Sequence, residues 1–351
     1  MRHLNRTLPG AIACALFLSW SICAQQQGNA RTLRAYVGGA DEKSGPADQS
    51  KFAVIISGAS GEAIFAKQFA NWSEKLKLAL IEKLGFASEQ VWLLAEKPAS
   101  GAGQATAAEV KQVLGALQKA VKADGKVFVF FIGHGTYDGQ QAKFNLVGPD
   151  LTVNQYKELL DALPAKSVVV VNMASASGEF IKPLAAPERV LITAKRSGQE
   201  QNATRFSEHF IAALGSSAAD ADKNNRISVL EAFNYATKLT AETYKSANQL
   251  ATEHALLDDN GDGVGHQTAE AGDGALARET YFDSAAQPQI ASDHESLRLT
   301  AEQKRVESLI QSLKARKAQL AADEYYAQLE VLFVDLAKLT RELKSKNKIG
   351  N

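Results

Sequence analysis

The sequence predicts an α/β protein: a three-layer α/β/α sandwich around a mainly parallel sheet, followed by a C-terminal helical hairpin or coiled-coil segment. Three observations carry this reading. Apolar runs of strand length alternate with segments of helical periodicity from residue 51 to about residue 250. The runs are apolar at consecutive rather than alternate positions, as befits strands covered on both faces. From residue 300 onward the apolar spacing changes to threes, fours and sevens, with charges interleaved.

The elements follow in order. "FAVIIS" (Phe52–Ser57) is the first strand. A helix comes next, with Phe65, Phe69, Trp72 and Leu76 at helical spacing and Gly85 as its stop. "QVWLLAE" (Gln90–Glu96) is a second strand. Thr106 and Glu109 have capping-box spacing and open a helix with Val110, Val113, Leu114 and Leu117 on one face. "KVFVFFI" (Lys126–Ile132) is a strand, "VNQYKELLDAL" (Val153–Leu163) a helix, and "SVVVV" (Ser167–Val171) and "RVLITA" (Arg189–Ala194) two more strands. Thr204–Leu214 and Val229–Tyr244 read as helices. In the tail, Thr300 and Gln303 repeat the capping-box spacing. Val306, Leu313 and Leu320 then recur every seven, and Leu329, Leu332, Leu336, Leu339 and Leu343 step by three and four. A tail helix packed on the main domain is the alternative to a hairpin or coiled coil. Right-handed crossovers build the sandwich, and functional loops belong at the carboxyl ends of its strands, near a topological switch point.

The N-terminus reads as a targeting segment. "MRHLNRTLPG" carries Arg2 and Arg6 and no acid, and "AIACALFLSWSICA" is an apolar stretch too short to span a bilayer. Residues 1–24 are therefore expected to be a signal peptide cleaved after Ala24, with Ala30 as the second site. An uncleaved signal anchor is the alternative. Cleavage removes Cys14 and Cys23, the only cysteines, and leaves a net charge of −2. The mature chain then has no disulfide, thiolate metal site or cysteine nucleophile. It is expected to be exported to the periplasm or medium and not to be transmembrane. Lys and Arg (39) equal Asp and Glu (39), so no basic footprint points to nucleic acid. Residues 25–50 read as a lead-in, 51–290 as the α/β domain and 291–351 as the helical segment.

Two stretches look chemical. His134 lies between Gly133 and Gly135 directly after an apolar strand, where an imidazole can act as a base and glycines allow close approach. Ser175 follows the next long apolar strand among the small residues Ala174, Ala176, Ser177 and Gly178. Small neighbours let main-chain N–H groups reach a bound carbonyl as an oxyanion hole. From spacing alone, both are weak signals, and sheet-edge turns are the favoured reading.

Together, "GHG" after one strand and "MASASG" after the next resemble the caspase-like (clan CD) cysteine peptidases, most closely the legumain type. The resemblance covers about residues 51–250, including "VIISGASGEAIFAKQFANW" and "RVLITAKRSGQEQNATRF". It implies a caspase-like fold with His134 as the catalytic histidine and Ser175 at the cysteine position. Met173 stands where the family has an acid, and Ser60 near where legumains often place an asparagine. Serine is far less acidic than cysteine and needs a positioned base and an orienting acid. The exchange is thus expected to disable the site, leaving a peptidase homologue that binds a peptide or protein segment. One alternative is an active hydrolase, with Ser175 as nucleophile, His134 as base, and N–H groups around Gly135 and Ser175 holding the oxyanion. Asp138 is then the nearest acid in sequence, although its position before Gly139 favours a turn residue. The other alternative is a structural protein that forms a homo-oligomer through its C-terminal helices.

"DADKNNRISVLE" (Asp220–Glu231) fits a twelve-residue calcium loop. Asp220, Asp222 and Asn224 occupy positions 1, 3 and 5, Arg226 supplies a carbonyl at 7, Ser228 stands at 9 and Glu231 at 12. Asn225 replaces the usual glycine at position 6 but tolerates the left-handed conformation. A helix-capping polar loop is the alternative. A second acidic loop, with Asp258, Asn260 and Asp262 at 1, 3 and 5, has Ala269 where the glutamate belongs, with Glu270 one residue late. It reads either as a second cation loop or as a glycine-rich turn.

Overall fold

The computed structural model describes residues 47–99, 101–269, 272–283 and 294–349. The expected signal peptide, and the lead-in up to residue 46, lie outside the described residues.

The central sheet has seven strands in the order β10-β9-β8-β4-β1-β2-β3. These are β1 (Lys51–Ser57), β2 (Val91–Ala95), β3 (Gly103–Gln104), β4 (Lys126–Ile132), β8 (Ser167–Asn172), β9 (Arg189–Thr193) and β10 (Leu256–Asp258). All pairs are parallel except β10 with β9, which is antiparallel. A smaller antiparallel sheet joins β5 (Gly135–Tyr137), β6 (Ala142–Phe144) and β7 (Leu151–Thr152). The apolar runs are buried on both sides, as their composition demands. Ala53, Ile55, Phe128, Phe130, Val169 and Val171 face one core, and Val54, Ile56, Val127, Val129, Val168 and Val170 face the other.

Helices cover both faces. On the first lie α1 (Ala63–Leu78), α5 (Phe206–Ala213), α6 (Val229–Ser246) and α7 (Ala275–Glu279). On the second lie α2 (Ala107–Ala120), α3 (Val153–Asp161) and α4 (Ile181–Leu184). α1 runs into a wider helical turn at Ala79–Lys83, and Gly85 closes it in the left-handed conformation (φ 69°). Reciprocal capping boxes open α3 (Thr152 with Gln155) and α6 (Ser228 with Glu231). At α2 only half of the expected box forms: Thr106 accepts from the Glu109 N–H, while the Glu109 carboxylate sits beside Gly103.

The chain divides into two compact units, Met1–Ser284 and Ala285–Asn351. The second contains α8 (His294–Ala315) and α9 (Ala322–Ile349), which pack on each other across a short turn at Lys317–Gln319. α8 begins six residues before Thr300, so the Thr300–Gln303 pair lies inside the helix and does not start it. Among the described residues, no helix is long and apolar enough to cross a membrane.

Candidate functional site

The chain goes from β1 to β2 on one side, and β4 then pairs on the other side of β1, so the strand order reverses between β1 and β4. Such a reversal opens a crevice beyond the carboxyl ends of the strands. His134 follows β4, Ser175 follows β8 next to it, and Ser60 follows β1. The three turns are locked together by glycines. A Cβ at Gly58 would lie 2.2 Å from the Asn145 carbonyl, one at Gly133 3.1 Å from the Phe144 ring, and one at Gly135 2.5 Å from the Ser175 carbonyl. These contacts require the absent side chain.

Ser175 is buried, with 3% of its surface exposed. Its Oγ donates to the Gly135 carbonyl and accepts from the Gly135 N–H, both at 3.1 Å. The neighbouring N–H groups are also engaged. Ala174 N–H donates to Asn172 Oδ1 (3.1 Å), and Ala176, held left-handed at φ 54°, donates to the Glu200 carbonyl (3.0 Å). Met173 is fully buried in the first core, and its carbonyl accepts from Thr204 Oγ1 at 2.8 Å. Gly178 lies against the main chain of Arg196 and Ser197, where a Cβ would come within 2.3 Å.

The His134 ring packs on two aromatic side chains of α1, edge-on to Phe65 (4.8 Å between centroids) and to Phe69 (5.1 Å). Burial lowers its pKa below the ordinary histidine value, while a hydrogen bond with the Ser60 main chain and the Glu62 charge oppose that shift. Burial thus favours the neutral form of its imidazole. Among the described residues, no hydrogen bond joins His134 to Ser175 and no carboxylate hydrogen-bonds the imidazole. Asp138 Oδ1 accepts from the N–H groups of Gln140 and Gln141, which makes it a turn residue of the β5–β6 connection. Ser60 Oγ donates to Glu96 Oε2 at 2.6 Å.

The loop after β9 is, by the resemblance, a part of the specificity pocket, but sequence reasoning gives none of its residues a partner. Lys195 N–H donates to Ser177 Oγ, and Gly198 N–H donates to Glu179 Oε1. Gly198 also packs on Tyr137, whose ring a Cβ there would meet at 2.2 Å. Glu200 accepts from the N–H groups of Arg196 and His254, and its Oε1 lies 2.5 Å from His254 Nδ1. No spacing rule could find the Glu200–His254 pair, because 54 residues separate its members.

A second constellation lies at the start of α6. The carboxylates of Asp220, Asp222 and Glu231 lie within 4.8 Å of one another. Burial, with the nearby charges of Glu231 and Asp220, raises the Asp222 pKa to about 6. Asn225 adopts φ 62°, the left-handed conformation expected at its position. Asn224 Oδ1 accepts from the Arg226 N–H. Glu231 accepts from the N–H groups of Ala221, Asp222 and Ser228 and from Ser228 Oγ. The Arg226 side chain turns away onto the Tyr281 ring and Asp283. Main-chain bonds from Val229 to Thr280 and from Phe282 to Ile227 brace the loop. The acidic triad can hold a metal ion and is not specific to one.

The other acidic loop is built differently. Asp258 accepts from the N–H groups of Gly261 and Gly263, both at φ 78°, and Asp262 accepts from that of Val264. Asn260 accepts from Asp262 N–H and donates its side-chain amide to the Asp262 carboxylate. Among the described residues these side chains form no metal-holding cluster with other acids. Glu270 lies outside the described residues.

No family model matches the chain, and no curated protein matches its sequence. Among solved structures, the chain is similar to protein GSU0716 from Geobacter sulfurreducens at 13% identity and a TM-score of 0.38. That similarity covers 60% of this chain and 92% of the other.

Proposed function

We propose that the protein is an exported caspase-like peptidase homologue of the legumain type whose nucleophile has degenerated to Ser175, and that it acts as a calcium-stabilised scaffold for a peptide or protein segment. The observation that carries this is the double hydrogen bond of Ser175 Oγ to Gly135. The Gly135 N–H, the donor that an oxyanion would need, is held by the serine hydroxyl itself. The hydroxyl proton points to a carbonyl, away from any base. A serine so placed is neither activated nor free to rotate toward a substrate. The left-handed Ala176 and the Ala194–Glu200 loop remain as a frame for an extended segment. The triad of Asp220, Asp222 and Glu231 supplies the cation site, for which calcium is the ion suited to oxygen ligands in a flexible loop. The C-terminal helices are left to form a hairpin or coiled-coil segment that self-associates.

The test is incubation of the purified protein, in calcium, with a diverse peptide library and a fluorophosphonate probe. No turnover and no Ser175 adduct are expected. Cleavage abolished by Ser175→Ala would overturn the proposal and favour the second reading, an active Ser175–His134 hydrolase. One observation favours that second reading: the His134 ring packs on Phe65 and Phe69, and that burial disfavours its charged form.

A further inference from the structure

We infer that α9 is the interface of an antiparallel homodimer, in which a second copy of this chain covers the face of the helix that α8 leaves open. This deepens the self-association part of the proposed function and does not depend on the chemical state of Ser175. α9 is about 42 Å long at 1.5 Å per residue and carries one leucine stripe, with further apolar side chains spread over the rest of its circumference. Leu329, Leu332, Leu336, Leu339 and Leu343 form the stripe, and they are half-buried. Tyr326, Val331, Phe333 and Val334 lie outside it, and all are exposed, Val331 at 61% and Phe333 at 47%. Four large apolar side chains within nine residues of one helix are more than scattered surface residues require.

Charge selects the occupant. Residues 322–335 carry four acids and no base, while residues 336–349 carry five bases and one acid. The helix therefore has an acidic half of charge −4 and a basic half of charge +4. A surface that is its own electrostatic complement when turned end for end fits a two-fold axis across the helix, the commonest symmetry of homodimers. A parallel pairing would set acid on acid and base on base. An antiparallel pairing about Leu332 brings Val331 level with Phe333 of the second copy, and Asp323 level with Arg341. The apolar residues then flank the centre, Asp323 and Arg341 pair toward the ends, and the exposed Glu330 lies among the apolar side chains.

The test is the mass of the purified full-length chain by sedimentation velocity, over a concentration series, with helix content followed by circular dichroism. A dimer is expected, and Phe333→Glu should turn it into a monomer with unchanged helix content. Asp323→Lys and Arg341→Glu should each weaken the dimer by about tenfold, because each sets like charges against one another. The two changes in one chain should restore the dimer, which only an antiparallel arrangement permits. A wild-type monomer at about 100 µM would overturn the inference, whether or not some other protein then binds the face. So would a dimer that Phe333→Glu leaves intact. A dimer weakened by both single changes but not restored by the double change would overturn the antiparallel arrangement. None of these outcomes bears on peptide turnover, so this inference and the Ser175 reading stand or fall separately.

Discussion

Ser175 is held by both main-chain groups of one residue, Gly135, at the point where two turns meet. Ser175→Ala removes the hydroxyl and leaves a buried N–H and a buried carbonyl without it. A loss of about 1–3 kcal/mol is expected in urea unfolding, the cost of unsatisfied buried polar groups. Such a cost identifies a structural serine, whereas a catalytic one would be neutral or better when removed. Lys51 is another polar side chain with a large burden. It is 1% exposed and donates to the Leu84 and Phe282 carbonyls. Burial lowers its pKa to about 8, against the opposing charges of Asp48 and Asp283. Below pH 8 the ammonium is charged in both states, and its burial penalty is present in full. Between about 8 and the unfolded value near 10.5 the native state releases its proton first, so unfolding takes up a proton and stability rises with pH. Wild type should therefore gain on Lys51→Met in urea midpoints measured from pH 8 to pH 10. Neither role could be read from the sequence. Ser175 was marked by its small neighbours, which told of a turn but not of the Gly135 bond. Lys51 precedes an apolar run and reads as an ordinary solvated flank.

Elements were more legible than side chains, for a physical reason. Uninterrupted apolar runs such as Lys126–Ile132 have few alternatives to a doubly covered strand, and each appears in the sheet. The short strands β3, β5, β6, β7 and β10 were not legible, because two or three residues carry no period. Their pairings are set by tertiary contacts, such as the Phe144 ring against Gly58 and Gly133. The tail misled at Thr300, where a correct capping spacing falls within a helix that begins earlier. The acidic loop shows the opposite case, since Asn225 takes the left-handed conformation that its position demanded. At this element a calcium titration should raise the melting temperature, because an ion that binds only the folded loop stabilises it by mass action. Glu231→Gln should abolish that rise. It should leave the metal-free stability unchanged or raise it, because glutamine can still close the capping box of α6 while removing a charge that repels Asp222. A thermal scan with and without calcium checks both. A rise that survives Glu231→Gln would place the cation elsewhere.

At the scale of the whole molecule, every residue of the two sheet cores falls between Phe52 and Phe282. Among the described residues, none of the second unit belongs to either core cluster. Deleting residues 285–351 should therefore leave the thermal transition of the sheet unit within a few degrees of its original position, by calorimetry. A collapse of that transition would show that the helices are needed for the sheet to fold. The Lys51 contact has a further consequence. Residues 51 and 282 are hydrogen-bonded although 231 positions separate them, so the start and the end of the sheet unit meet side by side. Joined there by a short linker, and cut instead in the exposed turn at Asp138–Gln140, the chain would keep all its strand pairings in a new order of synthesis. The sheet unit is thus closed in space while open in sequence, and a circular permutant should fold to the same sheet.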